Sequence, residues 1–275
     1  MNLNPDDFRL FRDFIYDKTG IFFSPSKKYM LGRRLARRME ELNCETLKDY
    51  YRLLRLDMRG NEVNRLIEII TTNETYFFRN IAQMKILGEE LLPRLILEKK
   101  QQNSKTLKIW SAACSTGEEP YSIAINILEN LPDTDGWNIQ VLASDINHQV
   151  LDTARKGKYS ARALKEVHSY YLSKYFIGNN GTYEVDPRLK KLVRFFYLNL
   201  MDSQQAANIR NIDIVFCRNV LIYFDQKARR QVVGHLYNSL RSEGHIFLGH
   251  SESMSRISTA FKICRFSNGI IYQKQ

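Results

Sequence analysis

Residues 107–122, LKIWSAACSTGEEPYS, constrain the fold more than any other stretch, because a short apolar run there gives way to a turn of almost no side-chain bulk. Leu107, Ile109 and Trp110 read as a buried central strand of a parallel sheet. Residues 111–117 are small, and Glu118, Glu119 and Pro120 then mark a helix start whose apolar face continues through Ile123, Ile127 and Leu128. In an open α/β sheet the ligand lies beyond the carboxyl end of such a strand, where small residues let backbone approach it. Two acids at the positive end of a helix dipole repel phosphate, so a cationic or ribose-bearing ligand fits better. The competing reading is a turn that binds nothing, since the G-x-G spacing of dinucleotide folds is absent.

Residues 139–143 predict a second strand ending in Ser144 and Asp145. A carboxylate there is placed to accept both hydroxyls of an adenosyl ribose, or else to cap the helix beginning near His148. From about residue 159 to 198 the strand–helix alternation stops, and short strands at 182–185 and 192–197 flank turn-forming and aromatic sequence. These read together as a small inserted antiparallel unit. A buried strand over 212–216 runs into Cys217, Arg218 and Asn219; a helix carrying Val232, Val233 and Leu236 and a strand over 244–249 follow. The chain closes with a hairpin about Asn268 and Gly269. The expected fold is α/β: a doubly wound, Rossmann-like sheet with a reversed strand at its C-terminal edge.

The N-terminal quarter differs. Asn4, Pro5, Asp6 and Asp7 open a helix with Phe8, Phe11 and Ile15 on one face, stopped by Gly20. A second helix to about Leu42 places Leu31, Leu35 and Met39 on one side and Lys27, Arg33, Arg34, Arg37 and Arg38 around the rest, with no acid between Lys27 and Met39. Like charges at that spacing repel, so the helix is either a solvated face or a surface for nucleic acid, lipid headgroups or an acidic helical protein. Helices over 46–56 and 62–70 complete an all-helical domain. The segment TTNETYFFR, residues 71–79, reads as a loop closing over a site or as a domain-docking hinge, and a connector helix leads on to about Lys100.

A formal net charge of +11 over 275 residues also points to an acidic partner. Cys44, Cys114, Cys217 and Cys264 are far apart, so neither a metal site nor a disulfide framework is expected, and a cytoplasmic location is. The N-terminal residues do not form a signal peptide, and direct membrane insertion is not expected.

Five blocks in order, TTNETYFFR, SAACSTGEEPYS, ASDIN, YLNL and FCRNVLIYFD, resemble the chemotaxis receptor methyltransferases of the CheR type. The resemblance implies a class I sheet using S-adenosyl-L-methionine, with S-adenosyl-L-homocysteine as product, and methylation of chemoreceptor glutamates. It implies a receptor-facing helical domain over residues 1–72, a cofactor-contacting linker over 73–105, and a catalytic domain over 106–275 with an inserted subdomain at about 160–198. By motif, Asn73, Thr75 and Arg79 contact the cofactor from the linker. Ala112, Ala113 and Glu118 line its methionyl end; Asp145 and Ile146 hold the ribose and adenine; Asn199 and Leu200 flank the adenine. Arg218 and Asn219 complete the cofactor edge, and Arg79 and Tyr223 stand at the reacting methyl group. Lys27, Arg33, Arg34, Arg37 and Arg38 would meet the acidic helical bundle of a receptor. The segment FIGNNGTYEVD lacks the longer loop of members that tether a receptor pentapeptide, so that tether is not expected. The resemblance further implies a cytoplasmic monomer recruited to membrane receptor arrays, with no nucleic-acid partner. A nucleic-acid methyltransferase and a non-catalytic cofactor-sensing module are the alternatives; neither a Pro-Pro-Tyr nor a Pro-Cys motif is present.

Overall fold

The computed structural model describes residues 3–131 and 134–275. Four helices come first: α1 (Pro5–Thr19), α2 (Lys28–Glu41), α3 (Leu47–Leu56) and α4 (Asn61–Ile70). Asn4 caps α1 by accepting from the Asp7 backbone N–H, and Gly20 ends it in a left-handed conformation (φ 73°). Phe8, Phe11, Ile15, Leu31, Leu35, Tyr50, Leu54, Leu66 and Ile70 form one buried cluster among these helices.

Residues 71–80 form the linker. It continues into α5 (Ile81–Lys85), a π-helical turn (Ile86–Leu91) and α6 (Leu92–Gln101). Pro93 in the first turn of α6 has no N–H to donate back, which suits the wider turn before it.

The α/β part begins with β1 (Thr106–Ala112), α7 (Glu118–Asn130), β2 (Asn138–Asp145) and α8 (His148–Lys156). The insertion follows as β3 (Lys158–Ser160), α9 (Ser169–Tyr175), β4 (Phe176–Asn179), β5 (Thr182–Val185) and α10 (Pro187–Leu192). The chain then returns through β6 (Val193–Tyr197), α11 (Ser203–Ala206), β7 (Ile212–Cys217), α12 (Gln226–Ser239), β8 (Leu240–Leu248), β9 (Phe261–Phe266) and β10 (Gly269–Lys274).

Among the described residues one sheet has seven strands in the order β6-β2-β1-β7-β8-β10-β9, and a second has three in the order β3-β5-β4. β10 is antiparallel to both β8 and β9, while β6, β2, β1, β7 and β8 are mutually parallel. The reversed strand at the C-terminal side is thus β10, one place in from the edge strand β9. Buried residues of α6 and α7 join the core on one face of this sheet, and those of α12 join the core on the other.

One boundary differs from the sequence expectation. The strand at 192–197 was assigned to the insertion, yet β6 pairs parallel with β2, Val141 opposite Val193 through Asp145 opposite Tyr197. A short β-forming run reads the same in either sheet and does not name its partner. The antiparallel unit is correspondingly β3, β4 and β5.

The sheet's switch point lies between β1 and β7, where the chain winds first one way through β2 and β6 and then the other through β7 and β8. The loops that follow β1 and β7 therefore open side by side.

Candidate active site

A cleft of about 460 Å³ lies at that switch point, walled by the loops after β1, β2, β6 and β7, by the linker, and by the α1–α2 connection. This volume is within the range of small-molecule sites. In the loop after β1, Ala113 (φ 66°) and Ser115 (φ 50°) take the left-handed backbone that glycine tolerates best. Their surroundings fix it. The Cys114 N–H donates to the Ser144 carbonyl at 2.9 Å, the Ser115 N–H to Asp145 Oδ2 at 2.8 Å, and Ser115 Oγ to the Asn73 carbonyl at 3.0 Å. Gly117 (φ 96°) caps α7, and a Cβ there would stand 2.8 Å from Ala154 Cβ.

Asp145 is buried at the end of β2, with Oδ1 accepting from the Asn147 N–H at 3.0 Å. Each oxygen retains acceptor capacity, as binding a ribose diol requires. Burial pushes this carboxyl above the usual range, and the backbone N–H groups of Asn147, Ser115 and Ile146 oppose the shift.

Across the cleft, Glu119 Oε1 accepts from Ser111 Oγ at 2.7 Å and Oε2 from Arg218 Nη1 at 3.1 Å. Burial raises the Glu119 carboxyl against the pull of Arg218, and burial lowers the Arg218 guanidinium. Arg218 also donates through Nη2 to the Arg79 carbonyl, while its Nε has no partner. Arg79 donates to the Glu74 carbonyl at 2.8 Å, and no carboxylate pairs with it among the described residues. A free cation, a buried carboxylate and an orphaned guanidinium N–H suit an amino-acid end group; with Asp145 for a ribose, the residues fit S-adenosyl-L-methionine.

The loop after β7 carries Asn219 (φ 58°) and a 3₁₀ turn, Leu221–Tyr223. Glu252 holds it: Oε2 accepts from the N–H groups of Asn219 (2.8 Å) and Gly249 (2.7 Å), and Oε1 from that of Ile222 (3.3 Å). The helical domain grips the same loop. The Phe22 N–H donates to the Tyr223 carbonyl at 2.8 Å, Ile21 and Phe224 form an antiparallel bridge, and Tyr16 Oη donates to Asp225 at 3.1 Å. Lys27 Nζ lies 5.7 Å from the Tyr223 ring centroid.

Of the residues named from sequence, Asn73, Thr75, Arg79, Ala113, Asp145, Ile146, Asn199, Leu200, Arg218, Asn219 and Tyr223 line this cleft, and Lys27 stands at it. Ala112 and Glu118 do not. Ala112 is buried at the end of β1, and Glu118 is turned into the protein, accepting from Thr116 Oγ1 at 2.7 Å. Successive helical residues point about 100° apart, so one acid of the pair faces the cleft, and it is Glu119.

The basic residues of α2 divide likewise. Arg38 pairs with Glu62 at 2.9 and 2.6 Å, and Arg34 bonds the Ile70 carbonyl and Thr72 Oγ1, so these two tie α2 to α4 and the linker. Arg33 and Arg37 are exposed, Arg37 3.4 Å from Glu41. The linker combines its two sequence readings. Its polar residues line the cleft, while Phe77 and Phe78 are buried against Phe176 and Tyr171 of the insertion.

Sequence reasoning missed Glu119, Ser115, Glu252 and the Ile21–Phe23 wall. Two had a signal: Glu119 is one of the acid pair at the start of α7, and an apolar triplet just after a helix-stopping glycine needs a partner to cover it. No helix among the described residues is long and apolar enough to cross a membrane.

Known proteins resemble the chain over nearly its whole length. Residues 6–71 match the family described as CheR methyltransferase, all-alpha domain, and residues 73–270 match CheR methyltransferase, SAM binding domain. The chain is 41% identical to chemotaxis protein methyltransferase 2 of Vibrio cholerae serotype O1 over 269 residues, covering 98% of this chain and 92% of that one. Chemotaxis protein methyltransferase 1 of Pseudomonas aeruginosa is 34% identical, with 97% of each chain covered. The chemotaxis protein methyltransferase of Escherichia coli is 34% identical, with 95% and 89% covered.

Proposed function

Because this chain belongs to the CheR methyltransferase family, we propose that it methylates glutamate side chains of methyl-accepting chemotaxis proteins, giving glutamate methyl esters and S-adenosyl-L-homocysteine. The observation that carries this reading is the cleft in which unpaired Arg79, the Glu119–Arg218 pair and Asp145 are set around one small-molecule volume.

When bound, S-adenosyl-L-methionine supplies a methyl group activated by its sulfonium. Asp145 would accept from the ribose hydroxyls and Glu119 from the amino group, while Arg79 and the free Nε of Arg218 would donate to the carboxylate. Ile146, Asn199 and Leu200 would border the adenine, with Asn73, Thr75 and Asn219 closing the remaining edges. A glutamate acceptor is already ionised at neutral pH, so the chain has no proton to remove. Its work is to orient and to exclude water. Tyr223, fixed by Phe22 and by the loop that Glu252 clasps, walls the acceptor side, and Lys27 beside it favours an incoming carboxylate.

In this reading the acceptor is the cytoplasmic helical bundle of a receptor, met directly by a monomer recruited to membrane arrays. The short β4–β5 connection at Asn180 and Gly181 is in keeping with docking without a pentapeptide tether. Incubation with methyl-labelled cofactor and receptor-bearing membranes should give base-labile label on the receptor. Label in nucleic acid instead, or cofactor binding with no turnover on any receptor, would overturn the proposal in favour of the corresponding alternative.

A further inference from the structure

A second depression lies away from the cleft, between α3 and α4, with a volume of about 490 Å³ and Leu53, Leu56, Asp57, Glu62, Arg65 and Arg38 around it. Its apolar residues are uncovered: Leu56 is 70% exposed, and Met58, two residues on and just outside the lining, is 96% exposed. The surface beside it is basic. Arg52, Arg55 and Arg59 are exposed, and none has a carboxylate partner among the described residues. The nearby acids are already engaged. Asp57 caps α4 by accepting from the N–H groups of Glu62 (2.6 Å) and Val63 (3.0 Å), and Glu62 is held by Arg38 and by Tyr50 Oη at 2.9 Å. What remains is a groove with Leu53 and Leu56 in its lining and its own arginines, Arg38 and Arg65, paired with Glu62 and Glu68, beside a surface that carries the unpaired Arg52, Arg55 and Arg59.

The groove and the catalytic cleft lie at opposite ends of α2. Lys27, just before the helix, lines the cleft, and Arg38, near its end, lines the groove. Eleven residues separate them, about 16 Å along a helix axis. Tyr29, Arg33 and Arg37, at four-residue intervals, are all exposed and form a stripe from one end to the other.

We propose that the α3–α4 groove anchors the substrate helix: an acidic amphipathic helix of the methylated receptor lies along the α2 stripe, its acceptor glutamate in the cleft and apolar side chains about three turns away in the groove. Acids between those points face Arg33 and Arg37, and acids beyond them face Arg55 and Arg59. The α2 stripe joins the groove to the cleft that takes the carboxylate, which suits a helix of the substrate better than a lipid surface. Anchoring at both ends of α2 sets which glutamate of a helix reaches Tyr223. This rests on the glutamate methyltransferase reading above.

The test uses full-length protein, a lipid-free cytoplasmic fragment of a candidate receptor, and the pair of substitutions Leu56→Asp and Met58→Asp, both at exposed positions. Binding of the fragment by fluorescence anisotropy should weaken about tenfold or more, and KM for the fragment should rise to match. kcat at saturation, S-adenosyl-L-homocysteine affinity and Tm should not change. Arg55→Glu with Arg59→Glu should weaken binding and flatten its salt dependence. Unchanged fragment binding in both variants would overturn the groove assignment. So would loss of flotation on phosphatidylglycerol vesicles with lipid-free binding intact, because the surface would then be a membrane contact. If the wild type forms no base-labile ester yet binds the fragment through the groove, the anchor stands and the glutamate reaction falls.

Discussion

Glu119 and Glu118 are adjacent in sequence, and only one of them can meet a ligand. Glu119 lies between Ser111 and Arg218 on the cleft, with its carboxyl raised by burial, while Glu118 accepts from Thr116 outside it. Only an ionised Glu119 attracts the amino group of the cofactor. Since burial raises its carboxyl above the ordinary carboxylate range, acidification below neutrality should weaken S-adenosyl-L-homocysteine binding before exposed carboxylates protonate. Asp145, raised by the same cause, adds to the trend. Glu119→Gln should weaken binding by about 10–100-fold at neutral pH and remove its share of the pH dependence, whereas Glu118→Gln should leave affinity nearly unchanged. Calorimetry across that range checks both; the reverse ranking would return the role to Glu118. The sequence carried the identity of the acid pair but not its phase, because the phase depends on where the turn from Ala113 to Gly117 releases the chain into α7.

At the scale of elements, α2 separates charge that holds the fold from charge that faces outward. Arg38 and Glu62 retain only 13% and 10% of their side-chain exposure, and Tyr50 Oη donates to the same carboxylate. Arg38→Ala would strand Glu62 in a largely dry site and should cost about 2–4 kcal/mol in urea unfolding. Arg37→Ala, whose side chain is 82% exposed, should change stability by less than about 0.5 kcal/mol. Equal losses from the two would mean that the Arg38 pair adds nothing to the packing of α2 on α4. The absence of acids between Lys27 and Met39 was legible; the acid on α4 that compensates Arg38 was not, because it arrives through tertiary packing 24 residues later. β6 has the same origin. Its strand character was visible, but its parallel partner β2 lies across the whole insertion. Where the determinants are local, as with Asn4 and Gly20 at the ends of α1, sequence and structure coincide.

The whole molecule places one ligand volume between two domains whose motifs lie far apart in sequence. Thr19, Ile21, Phe22, Phe23, Lys27 and Met30 wall the cleft from the helical side, and Asp145, Arg218 and Tyr223 from the sheet side. Contacts beyond the cleft join the same two bodies: Tyr16 with Asp225, Asn199 Nδ2 with the Lys18 carbonyl at 2.8 Å, and Asn147 Nδ2 with Thr71 Oγ1 at 2.9 Å. A ligand that needs both walls binds only when the domains are folded and docked, so its binding energy stabilises them as one unit. S-adenosyl-L-homocysteine at about 100 times its Kd should add about 2.7 kcal/mol to the stability of the docked state and raise the Tm of both domains together. Tyr16→Phe removes the hydroxyl that reaches Asp225 while leaving the ring in place. It should weaken cofactor binding several-fold and, in scanning calorimetry, split or broaden the ligand-free transition, with added ligand restoring a single peak. If the helical domain instead melts separately at a temperature that the ligand does not move, its wall is only adjacent to the cofactor, and the catalytic domain alone carries the binding energy.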